Sequence, residues 1–215
     1  MIKTFKKVAP VFIFWGALWG IAEAVLGYIL HLVPVFPGMA GMIMFPIGFY
    51  FMSRSWKYTG NLWAILGTAS IAASIKLLDL FLPGLSPIYT INPAVAILFE
   101  SVAVMGLYKL LSLEPQQNKT FSFQNIIAAC AGWRLVFIAY NILLFTFSLS
   151  TEFVDKGLGH ITRFFILESV INSIIIFAVM RREKWQSFSL KMIRPFNALA
   201  TLCLAIFVKL MAISL

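Results

Sequence analysis

Long apolar runs alternate along the chain with short segments rich in proline, glycine and charge. A hydrocarbon core of about 30 Å needs roughly 20 helical residues to cross it. Seven runs approach that length, at residues 11–33, 38–53, 61–81, 93–111, 125–147, 162–180 and 196–214. Their boundaries carry breakers: Pro34, Pro37 and Gly38, then Pro83, Gly84 and Pro87, then Pro115, then Pro195. The second run is the weakest, being short and holding Pro46, a pattern that suits a short tilted helix or a re-entrant element covered by protein. No repeat of fixed period and no low-complexity tract is present. The pattern predicts an all-α polytopic membrane bundle of about seven transmembrane helices, a six-helix core plus a C-terminal helix. Residues 1–215 read as a single integral membrane domain.

Composition removes the soluble alternative. The chain is 61% hydrophobic and 12% charged, against about 45–50% and about 25% for an ordinary soluble domain. Its net charge of +9 would point a soluble protein toward nucleic acid; here the charge follows topology instead, and no nucleic-acid partner is expected. With the amino end in the cytoplasm, the inner segments hold Lys3, Lys6, Lys7, Arg54, Lys57, Lys109, Lys119, Arg181, Arg182, Lys184, Lys191 and Arg194. These are twelve of the seventeen basic residues, the bias that sets orientation in multi-pass proteins. Without the second run as a crossing, Lys109 and Lys119 would move outside together with the 181–194 cluster. The expectation is therefore seven crossings in a cell membrane, in a prokaryote the inner membrane. Residues 1–33 are expected to be retained, since the run is too long for a signal peptide, contains Glu23 and lacks an A-x-A site.

The residues that lipid-facing helices exclude carry most of the information. Glu23, Lys76, Asp79, Glu100, Arg134, Glu168 and Lys209 lie within the apolar runs. Such groups cost roughly 2.5–3.5 kcal/mol at a helix centre, so they face the bundle interior, pair, or line a wet cavity. Four acids meet three bases, which implies an internal polar cluster. At a rise of about 1.5 Å per residue, Glu23 and Arg134 fall near the midplane and Glu100 and Glu168 about 9 to 11 Å from the outer ends. His31, Tyr89, Asn92 and His160 fall near the outer rim, and a pocket open to the outside with Glu23 and Arg134 at its floor is expected. Gly16, Gly20, Glu23, Gly27 and His31 share one stripe of the first helix within roughly 80°, and Gly16, Gly20 and Ala24 would let another helix approach closely. Cys130, Arg134 and Asn141 share a face, Glu168 and Asn172 are spaced i, i+4, and Lys76 and Asp79 can pair locally. Lys209, near the chain end, is expected to snorkel, and the tryptophans to anchor at the membrane interface.

Reaction chemistry finds little footing. Cys130 and Cys203 show no CxxC spacing and no disulfide framework. Hydrolase, metalloprotease and nucleotide-binding signatures are absent. Met39, Met42 and Met44 read as apolar filler rather than a soft-metal path. Haem ligation by His31 and His160 is disfavoured, because His160 falls at a helix end and not in a bundle core. No cofactor and no metal are expected. Glu23, His31, Asn92, Glu100, Arg134, Asn141, Glu168 and Asn172 are the candidate ligand-binding residues. The function they point to is binding or transport of a small polar solute, with an intramembrane enzyme or a haem- or quinone-linked anchor subunit as the alternative use of the same interior.

The lysine-bearing start, the hydrophobic spans, the small residues Gly16, Gly20 and Ala24 at four-residue spacing, and the polar groups toward the outer side resemble the substrate-binding S component of energy-coupling factor transporters. The resemblance covers roughly residues 8–181 and is one of architecture. It implies a vitamin-like micronutrient held in an outward-opening pocket, and a transmembrane coupling subunit with ATPases as partners. Glu23 within the small-residue stripe and the span at 196–214 depart from the family's pattern.

Overall fold

The computed structural model describes residues 2–32, 39–82, 84, 86–111, 121–147, 149, 152–182 and 193–214, and within these the side chains of residues 2–7, 27, 28, 30–32, 39, 40, 152, 182, 213 and 214 lie outside the description. His31, Gly27, Met39, Trp185 and the basic residues Lys3, Lys6, Lys7, Lys119, Arg182, Lys184 and Lys191 are therefore outside the described side chains. Among the described residues the fold is all helix, without strands. An apolar medium leaves the backbone only itself as a hydrogen-bonding partner, and the helix satisfies every amide internally.

The helices are α1 (Ile2–Leu32), α2 (Met39–Thr59), α3 (Trp63–Lys76) continued by a 3-10 turn at Leu77–Phe81, α4 (Ile88–Leu110), α5 (Phe123–Thr146), α6 (Glu152–Asp155), α7 (Gly157–Thr162), α8 (Glu168–Arg182) and α9 (Pro195–Ser214). A π-helical turn at Arg163–Leu167 joins α7 to α8. Among the described residues six stretches are long and apolar enough to cross a membrane: Val8–Leu26, Trp63–Phe81, Ile88–Leu110, Phe123–Thr146, Gly157–Arg181 and Pro195–Ala212. The protein thus has the make-up of a multi-pass membrane protein.

Two boundaries differ from the sequence expectation in ways that matter for the site. Helix α4 begins five residues before Pro93, because the Pro87 carbonyl accepts from the Thr90 and Ile91 amides and closes a first turn upstream. Tyr89 and Asn92 consequently sit on helix, where their directions are fixed. Helix α2 runs unbroken through Pro46 and six residues beyond the expected end at residue 53. The start of α5 follows its local chemistry, with the Ser122 hydroxyl accepting from the Asn125 amide at 3.3 Å as an N-cap.

The bundle closes through α1 on α3, α3 on α4, α4 on α5 and α5 on α8, while α2 touches α1, α3, α4 and α8 and so occupies the interior. Phe45, Phe49, Met52 and Trp56 of α2 are buried there, as are Ser53 and Ser55. Protein covers this helix, which removes the need for a lipid-soluble surface. Helix α9 packs on the outer face of α1, with only 17% of its apolar stretch buried against 44% for α1 and α3.

Gly16 and Gly20 are spent inside the bundle. A Cβ on Gly16 would stand 2.6 Å from Ile71 Cβ, and one on Gly20 2.5 Å from Ile75 Cδ1, so α3 lies directly on this stripe and the nearby Ala24 is buried too. The tryptophans depart from the expected interfacial role. Trp15, Trp19, Trp56 and Trp133 are buried in the bundle, and Trp63 alone of the described ones is widely exposed. Their rings fill the wide spaces that α2 and its neighbours leave, as the packing of Trp56 on Tyr108 and of Trp133 on Phe45 shows.

Candidate functional site

A cavity of about 430 Å³ lies between α1, α2, α4, α5 and the α6–α8 segment. It reaches the surface beside Tyr89 and Lys156, both exposed. Glu23, Lys76, Asn92, Glu100, His160 and Glu168 contribute polar groups to its wall. The apolar part is aromatic, built by Trp133, Phe137, Phe153 and Phe164, whose rings pack edge to face on one another, Phe153 against Phe164 at 5.0 Å and Trp133 against Phe164 at 5.7 Å. The volume sits within the range of about 300–1,000 Å³ typical of small-molecule pockets.

Arg134 sits behind the wall and forms a closed knot. It is fully buried. Its Nη1 donates to the Cys130 carbonyl at 3.0 Å, one turn back on α5, and its Nη2 lies 3.8 Å from Glu168 Oε2. With the Asn172 amide oriented by its hydrogen-bonding neighbours, Oδ1 accepts from Arg134 Nη2 at 2.8 Å and Nδ2 donates to the Met42 carbonyl at 2.8 Å. The guanidinium also stacks over Trp133, its carbon 4.4 Å from the ring centroid. The knot pins α5, α8 and α2 together. Sequence spacing anticipated two of its pieces, the buried face of Cys130, Arg134 and Asn141 and the i, i+4 pair of Glu168 and Asn172.

Glu23 and Arg134 were expected together at the floor of the pocket, and the structure separates them: Glu23 lines the cavity and Arg134 does not. Glu23 instead lies within electrostatic reach of Lys76, Lys209 and Asp79. Lys76 Nζ is 3.0 Å from Asp79 Oδ2, the anticipated local pair. Lys209 of α9 also pairs with Asp79, with both groups buried, so it turns inward and does not snorkel. The 3-10 turn explains the change: it extends α3 over the face where α9 arrives and buries Asp79, giving the lysine a buried carboxylate to pair with.

Asn141 Nδ2 donates to the Phe137 carbonyl at 2.9 Å, which leaves its Oδ1 to accept from Asn92 Nδ2 at 3.2 Å. This chain fixes the orientation of the Asn92 amide and aims an acceptor without a hydrogen-bond partner, Asn92 Oδ1, at a buried position on the cavity side. Glu100, two turns further along α4, is 7% exposed and has no ion pair or hydrogen bond among the described residues. At the mouth, Arg163 Nη2 stands 3.1 Å from His160 Nδ1, and the His160 ring packs edge-on against Phe153 at 5.1 Å. The π-helical turn that carries Arg163 adds a residue to one turn of helix, a device common at functional sites.

The candidates therefore divide. Glu23, Asn92, Glu100 and Glu168 line the cavity; Arg134, Asn141 and Asn172 stand behind and hold its walls. His31 lies outside the described side chains. Sequence reasoning set Lys76 aside as a local pair and passed over the aromatic wall. Aromatics make up 15% of the chain, so three more in apolar runs and one between them gave no signal. Among the described residues no group of three or more His, Cys, Asp or Glu side chains could hold a metal ion. No protein-family model matches the chain, and no curated protein or solved structure does either.

Proposed function

We propose that the protein crosses a cell membrane seven times, in a prokaryote the inner membrane, with its amino end in the cytoplasm, and that it captures or carries a small polar solute from the outside. The cavity between α4, α5 and α8 supports this reading most directly. Its mouth, at Tyr89 and Lys156, falls between the third and fourth and between the fifth and sixth apolar runs, the side that the basic-residue bias assigns to the exterior. Arg54, Lys57, Lys109 and Arg181 fall on the opposite side. A polar wall facing an aromatic one suits a solute that must leave water and still satisfy charge and hydrogen bonds.

The resemblance to the S component of energy-coupling factor transporters extends the proposal to a vitamin-like solute and to partners, a transmembrane coupling subunit and ATPases. In this protein Gly16 and Gly20 lie beneath α3, so a coupling subunit would meet other residues of α1 or a different face of the bundle.

Native mass spectrometry of the gently purified protein tests the capture reading, with a retained small molecule expected and an empty chain counting against it. Co-purifying ATP-hydrolysing subunits would place the protein in a transporter complex. Orientation is tested by labelling single cysteines with an impermeant maleimide on intact cells. A cysteine at Tyr89 should react directly and one at Leu110 only after permeabilisation; the reverse pattern overturns the topology.

A further inference from the structure

The excess of one acid over the bases within the apolar segments has an address in the structure. Lys76 and Lys209 both pair with Asp79, and Glu23 lies within electrostatic reach of these two lysines and of Glu100. Arg134 stands with Glu168, one with one. Arg163, at the mouth, is within electrostatic reach of Glu168 and meets His160. That leaves Glu100, buried on the cavity side of α4 and without an ion pair or hydrogen bond among the described residues.

The nearby cations already have partners, although the buried Arg134 Nε and Trp133 Nε1 donate to nothing among the described residues. Arg134, the cation nearest to Glu100 in electrostatic terms, directs its Nη groups to the Cys130 carbonyl, Asn172 and Glu168. Lys76 is held by Asp79. The second open group on the same helix, Asn92 Oδ1, is also an acceptor. It lies roughly 12 Å from Glu100 along the axis, counting about 1.5 Å per residue, and nearer the mouth. Two acceptors in search of donors, one of them an anion, face a wall of Trp133, Phe137, Phe153 and Phe164. Aromatic faces attract cations and exclude anions, and a buried carboxylate without a partner favours a ligand that brings the positive charge.

Resting on the capture reading above, we propose that the solute is a protonated organic amine with a ring-sized apolar frame. Its ammonium docks on the Glu100 carboxylate, its frame lies on the aromatic wall, and a second donor toward the mouth meets Asn92 Oδ1. Arg134 does not line the cavity, so it offers the solute no cation to bind an anionic group.

The test compares three near-isosteric probes on the purified full-length protein at fixed pH and ionic strength: tyramine, the neutral alcohol tyrosol and the anion 4-hydroxyphenylacetate. Benzylamine and cyclohexylamine are added as alternative frames, and sodium chloride as an inorganic cation. Calorimetry reads the affinity. At least one amine should bind ten-fold or more tightly than tyrosol, with no detectable binding of the anion, and Glu100→Gln should erase that preference while leaving tyrosol unchanged. The wild-type ranking tests the proposal even if the variant fails to fold. If tyrosol or the anion binds as well as every amine, or sodium alone reproduces the signal, the amine assignment falls while solute capture stands. If no amine in the panel binds, the assignment falls too. Capture itself falls only if, in addition, native mass spectrometry finds no retained small molecule.

Discussion

Two buried polar regions lie on opposite sides of one aromatic wall and solve the problem of charge in a membrane differently. Around Arg134, carbonyl, amide, carboxylate and ring all converge on one guanidinium. Glu100 has no hydrogen bond or ion pair among the described residues. The first engages both Nη groups, leaving only Nε without a partner among the described residues, and holds helices; the second has no ion pair and faces a cavity. Burial alone does not separate structural from ligand-facing charges, since both groups are almost wholly buried. The presence of a partner of opposite charge does.

Substitutions sharpen this contrast, and the largest effect belongs to the knot. Arg134→Leu leaves Glu168 buried without its cation, and a loss of about 3–5 kcal/mol is expected, read as lowered resistance to denaturation of the purified protein. The double change Arg134→Leu with Glu168→Leu should restore much of that loss, because an apolar pair removes the stranded charge along with its partner. Lys209→Met comes next. Asp79 retains Lys76, so the cost should be that of one charge-assisted bond, about 1.5–3 kcal/mol, and the loosening should concentrate in α9, visible as faster proteolysis of the C-terminal helix. Gly20→Ala places a methyl against Ile75, and about 1–3 kcal/mol is expected from overpacking, with the α1 and α3 contact yielding first. The smallest change belongs to Glu100→Gln, where no partner is lost and a buried charge is removed. Stability should hold or rise by up to about 1 kcal/mol. A loss as large as that of Arg134→Leu would show that Glu100 is structural after all.

Much of the helical layout was legible in hydropathy, because a bilayer enforces length and apolarity together. The buried face of Cys130, Arg134 and Asn141 followed from 3.6-residue periodicity, and the pairing of Lys76 with Asp79 from their three-residue spacing. The cross-helix pairings did not follow. Phase says which way Glu23 points along α1, but α3 and α9 are what it meets there, and nothing local to α1 encodes them. Depth counting put Glu23 and Arg134 at one level and so suggested a shared pocket floor; α2 and the aromatic rings stand around Arg134 instead. The π-helical turn was illegible for a similar reason, since counting at 100° per residue assumes a regular helix through 163–167. Glu168 therefore arrived at the Arg134 side without a signal in its neighbours.

The interior placement of α2 bears on how the protein is made. Its 21 residues hold two basic groups near one end and serines through the last third, so lipid is a poorer host for it than for the other long helices. Of the neighbours that cover it, α1 alone precedes it in the chain, whereas α3, α4 and α8 are synthesised later. Biogenesis must therefore keep this segment in a sheltered, partly hydrated place at the insertion machinery until its C-terminal companions emerge, and truncations ending before α8 should leave it exposed to quality-control proteolysis.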